Sequence, residues 1–103
     1  MSTEQTFQQM KQLVHRVLPN AEVYLFGSRA NNTSYQESDW DLLILEDGRV
    51  NKELKNNLFD ILYPYSEEIG SFIHFILASK NEWENHPRFY SLQLSINQNP
   101  VMA

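Results

Sequence analysis

Two short apolar runs, Val23-Tyr24-Leu25-Phe26 and Trp40-Asp41-Leu42-Leu43-Ile44-Leu45, flank a Gly27-Ser28 break and a polar stretch, and this arrangement constrains the chain more than any other. Each run has the length and apolar content of a strand. Asp39 and Asp41 open the second. Strand side chains alternate between faces, so both aspartates point the same way, with Cα atoms about 6.6 Å apart. Their carboxylates can converge on one hard cation. Oxygen donors of this kind suit Mg²⁺, which usually takes one or two protein carboxylates and leaves its other positions to water and substrate phosphates. Gly27 turns the chain without Cβ hindrance, and Ser28 with the following backbone N–H groups suits a phosphate at a helix start. For the end of the first strand to meet the start of the second, adjacent strands must run antiparallel.

Phe26-Gly27-Ser28-Arg29-Ala30 followed by Ser38-Asp39-Trp40-Asp41-Leu42 resembles the signature of the nucleotidyltransferase superfamily that includes DNA polymerase β, and in particular its small "minimal nucleotidyltransferase" (MNT) members. The likeness is strongest over residues 21–45. Either half of the motif alone is common, whereas both in order, each at a strand end, form a specific signal. The resemblance implies transfer of a nucleoside monophosphate from a nucleoside triphosphate to an acceptor hydroxyl, with release of pyrophosphate. Asp39 and Asp41 would be the catalytic metal ligands, for one Mg²⁺ or two. Gly27 and Ser28 would hold the β- and γ-phosphates, and Arg29 would be a further phosphate contact or a solvated surface arginine.

Fully active members of the superfamily add a third carboxylate from the next strand. Here that strand, Ser71 to Ala78, contains no Asp or Glu, although Glu67 and Glu68 lie just before it. A small MNT domain without a fused substrate-binding region also resembles the members encoded beside HEPN-domain proteins. Those act as antitoxins, and some transfer AMP to a tyrosine of the HEPN partner. Two readings follow: a transferase that modifies a HEPN-type protein partner, or a non-catalytic nucleotide-binding module that neutralises such a partner by contact. A third, that Asp39 and Asp41 are only a solvated strand start, leaves the combined motif a coincidence.

Composition narrows the partners. The 103 residues carry a formal net charge of −5, with eight Lys and Arg scattered along the chain. That argues against a phosphate-backbone footprint, which calls for basic clusters. A small nucleotide neutralised by a divalent metal fits better. There is no cysteine, which excludes disulfides, thiolate catalysis and Cys-based zinc sites. No apolar run approaches the ~18–20 residues of a membrane span, and Met1 to Gln5 show no basic region followed by an apolar stretch. A single cytoplasmic domain over residues 1–103 is the expectation.

The remaining segments supply a frame for the two strands. Phe7, Met10, Leu13, Val14, Val17 and Leu18 recur at helical spacing from Glu4 to Leu18, with His15 off the stripe and expected in solvent. Leu54, Leu58, Ile61 and Leu62 predict a second helix from Asn51 that stops before Pro64. Ser71 to Ala78 reads as a third strand, apolar on both faces and so internal, with His74 a hydrogen-bonded core residue. Ser79-Lys80-Asn81-Glu82 fits a capping box that starts a short helix containing Trp83. Phe89, Leu92 and Ile96, with Tyr90 and Leu94, suggest a last helix, whose apolar side chains either complete the core or serve self-association. The order predicts an α/β (α+β) domain with a three-stranded mixed sheet flanked by helices, as in the polymerase β-like nucleotidyltransferases.

Overall fold

The computed structural model describes residues 2–26, 39–91 and 93. Helix α1 spans Thr3–Val17, strand β1 Glu22–Phe26, β2 Trp40–Glu46, helix α2 Lys52–Ile69, β3 Ile73–Ser79 and α3 Lys80–Asn85, followed by a 3-10 turn at Pro87–Phe89. The strands lie in the order β1-β2-β3, with β1 antiparallel and β3 parallel to β2. The sheet is mixed and three-stranded, as the sequence predicts.

Local chemistry sets the helix ends. At the start of α1 the Ser2 hydroxyl accepts from the Gln5 N–H (3.1 Å) while the Gln5 amide oxygen accepts from the Ser2 N–H (3.0 Å), satisfying donors that the first turn leaves unpaired. Asn51 does the same for α2 through the Leu54 N–H at 2.9 Å. The expected cap at Ser79 is present, its hydroxyl 3.0 Å from the Glu82 N–H. Helix α2 departs from expectation by continuing through Pro64 to Ile69. Pro64 and Asp60, whose carbonyl loses its helical partner, are both exposed, so water can take the missing hydrogen bond. The helix stops at Gly70, whose left-handed backbone (φ 72°) suits a residue without Cβ.

Both faces of the sheet are covered, unequally. On one, Phe7, Met10 and Val14 of α1 and Leu58 and Leu62 of α2 pack on Leu25, Leu42 and Ile44. On the other, Trp83 and Phe89 lie over Leu43, Leu45 and Ala78, at the C-terminal end of β2 and β3. Lys80 fastens this end, with Nζ 2.6 Å from Asp47 and 3.1 Å from Glu22. β3 is therefore an edge strand among the described residues, not an internal one; its apolar character on both faces reflects layers above and below it. His15 also departs from expectation. Half-buried, its Nε2 lies 3.0 Å from the Ala21 carbonyl oxygen and ties the end of α1 to the start of β1. The expected last helix falls mostly on Leu92 and residues 94–98, outside the described residues.

Candidate active site

β2 begins where the second face of the sheet is left open by Trp83 and Phe89. Alternation sends Trp40, Leu42 and Ile44 into the core under the helices, and Asp41, Leu43 and Leu45 to the opposite face. Asp41 is flanked on both sides: its register partner on β1 is Phe26 and on β3 is His74. Phe26 is the residue before Gly27, so β1 ends beside Asp41, as the two-strand motif requires. Gly27, Ser28 and Arg29 themselves lie outside the described residues.

Asp39 joins the site from just before β2. Its Oδ2 is 3.0 Å from Nε2 of His74, and the two side chains are 52% and 55% exposed. An ionised carboxylate only accepts, so the imidazole Nε2–H is the donor. The bond fixes the orientation of the His74 ring and of one Asp39 oxygen. The Phe72 ring stands edge-on to His74, with centroids 4.5 Å apart. Burial pushes the Asp41 carboxyl above its ordinary range; His74 pulls it back and the Asp39 charge pushes it further up. A cation between the aspartates would relieve both the desolvation and the repulsion.

His74 is the main correction to the sequence reading. Its neighbours Phe72 and Ile76 suggest a core position, but the face it occupies is covered only farther along the strand. It stands instead in solvent at the place on β3 directly beside Asp41. Glu67 and Glu68 do not fill that place: both are exposed in the last turn of α2, which packs on the other face, and the charges acting on Asp41 are those of His74 and Asp39. A register count would have revealed His74, since it is the second residue of β3 as Asp41 is of β2. Among the described residues no group of three or more His, Asp or Glu side chains is disposed to hold a metal. The donor set here is two carboxylates, which is sufficient for Mg²⁺ when phosphates and water complete the shell.

A family model described as "Nucleotidyltransferase domain" matches residues 4–89, which takes in the whole sheet and both long helices. The chain belongs to the nucleotidyltransferase domain family. Among solved structures, this nucleotidyltransferase domain is similar to a candidate nucleotidyltransferase from Sulfolobus solfataricus, with 26% identity over 78% of this chain and 69% of that one, and a TM-score of 0.51. No curated protein matches it in sequence. Among the described residues of the domain, no helix is long and apolar enough to cross a membrane.

Proposed function

We propose that this nucleotidyltransferase domain binds a Mg²⁺–nucleoside triphosphate, ATP foremost, at Asp39 and Asp41 and transfers the nucleoside monophosphate to a hydroxyl of a HEPN-type protein partner, acting as an antitoxin. The observation that supports it is the placement of the two aspartates on one sheet face beside the end of β1. In the reaction the acceptor oxygen forms a bond to the α-phosphorus while the bond from that phosphorus to pyrophosphate breaks. Pyrophosphate leaves with the electron pair, and the acceptor's proton passes to water. Mg²⁺ bound here would supply charge neutralisation and polarisation of the phosphoryl oxygens. Asp39 and Asp41 would hold the cation, Gly27, Ser28 and Arg29 would hold the phosphates, and His74 fixes one oxygen of the Asp39 carboxylate. The −5 charge and scattered basic residues favour a protein acceptor over a nucleic acid.

A second reading has its own observation. His74 stands beside Asp41 on β3, the strand from which the resemblance leads one to expect a third carboxylate, so a nucleotide bound here would have fewer charges to activate the acceptor. On this reading the domain binds Mg-nucleotide and neutralises its partner by contact. Incubation of the domain with labelled ATP, Mg²⁺ and a HEPN-type partner separates the two. Label on the partner together with pyrophosphate establishes transfer. Tight Mg-ATP and partner binding without label establishes the contact module.

A further inference from the structure

Helix α2 carries a second ordered face besides the one it turns to the sheet. Leu58 and Leu62 are buried in the core, while the residues that follow them, Phe59 and Tyr63, are 47% and 44% exposed. Their rings stack, with centroids 5.4 Å apart. Phe59 also lines an open groove of about 230 Å³ between α2 and the outer edge of β3. The charges beside the rings have an order. Lys55, Phe59, Tyr63 and Glu67 recur at every fourth position and so form one ridge along the helix, basic at one end, aromatic in the middle and acidic at the other. The ridge is symmetric about the level of Ile61, and all four of its side chains are exposed. Among the described residues no ion pair engages Lys55 or Glu67. Both also oppose the dipole of their own helix, with Lys52 and Lys55 towards its N-terminus and Glu67 and Glu68 in its last turn.

We propose that this ridge is the interface of a two-fold symmetric dimer, in which α2 of a second copy of the chain packs antiparallel on α2. A closed two-fold contact uses one patch twice, so a residue and its opposite number exchange roles across the axis. With the axis at the level of Ile61, Phe59 of each copy meets Tyr63 of the other, and Lys55 of each meets Glu67 of the other. The four rings then form one cluster removed from water, with an ion pair at either end. The unfavourable dipole ends are answered as well, since each helix terminus lies beside the opposite terminus of its mate. A parallel arrangement would set lysine against lysine and glutamate against glutamate. A second copy is the occupant this surface fits, because the ridge supplies both halves of the charge match. The rings provide the affinity and the charges the register. The inference goes beyond the proposed reaction and does not depend on it.

Sedimentation velocity of the full chain, from low micromolar to submillimolar concentration, is the test. Wild type is expected to pass reversibly from monomer to dimer. Phe59→Ala with Tyr63→Ala removes all four rings from the interface and should weaken the dimer roughly tenfold or more. Lys55→Glu alone, or Glu67→Lys alone, creates two like-charge contacts across the axis and should weaken it about fivefold to tenfold at low salt. Both reversals in one chain re-form the two pairs with their signs exchanged, and should return the dissociation constant to within about threefold of wild type. The four positions are exposed, so circular dichroism should show each variant folded as wild type. A chain that stays monomeric throughout overturns the proposal, even if another protein proves to bind Phe59 and Tyr63. So does a dimer that the ring variant leaves unchanged, or a double reversal whose losses add instead of cancelling.

Discussion

His74→Asp places a third carboxylate beside Asp39 and Asp41, and its consequences follow from the geometry. The substitution removes the 3.0 Å Nε2–Oδ2 bond, an exposed charge-assisted contact worth about 0.2–1 kcal/mol. It also adds a negative charge near two others. Both side chains of the present pair are about half exposed, so the repulsion is that of charges ~4 Å apart in nearly aqueous surroundings, about 1 kcal/mol. Together these predict a loss of about 1–2 kcal/mol in the absence of divalent metal, or roughly 5–15 °C in Tm for a domain of this size. Mg²⁺ should reverse the sign. Three carboxylates bind it more tightly than two, so the Mg²⁺-induced rise in Tm should be larger in the variant than in wild type. Thermal melts followed by circular dichroism, in EDTA and in millimolar Mg²⁺, read both effects. A variant that melts with wild type in EDTA and gains no more from Mg²⁺ would refute the placement of His74 beside the aspartates.

Two further outcomes test the frame and the electrostatics. Leu42→Ala empties a fully buried position on the central strand under both long helices and should cost about 2–5 kcal/mol, read from urea unfolding; a cost below about 1 kcal/mol contradicts the packing. Asp41→Asn should raise Tm at pH 7 without Mg²⁺, because burial holds the folded-state carboxyl above its ordinary range. A raised carboxyl favours the fold while protonated, and that contribution is lost as pH rises through the folded value. Wild-type stability relative to the variant should therefore fall as pH rises from below about 3.9 through the carboxylate range, and then level off. A flat difference would show that Asp41 is not desolvated.

Much of this arrangement was legible in the residues, and the exceptions have physical causes. The alternation of Trp40, Leu42 and Ile44 against Asp41, Leu43 and Leu45 is a local property of an extended chain, so the faces of β2 could be read directly. The same alternation misled in β3, because two apolar faces report cover above and below a strand and say nothing of neighbours beside it. Whether His74 meets a lid or solvent depends on how far Trp83 and Phe89 reach along that face, which is a tertiary fact. The continuation of α2 through Pro64 has the same origin, since proline is tolerated when the turn it disturbs faces water. His15 is likewise placed by the return of the chain at Ala21 rather than by its own helix. That Asp39 and Asp41 stand together at the start of β2 was legible because alternation in an extended chain relates residues two apart.

The central claim, a Mg-nucleotide site built on Asp39 and Asp41, is tested most directly by calorimetric titration of wild type and of Asp39→Asn with Asp41→Asn. ATP, GTP, CTP and UTP are compared in Mg²⁺, with pyrophosphate followed in the same samples and the fold of the double variant checked by circular dichroism. Binding of at least one Mg-nucleotide by wild type, lost in a folded double variant, is the predicted result. A double variant that binds as tightly as wild type, or a wild type that binds none of the four, would contradict it.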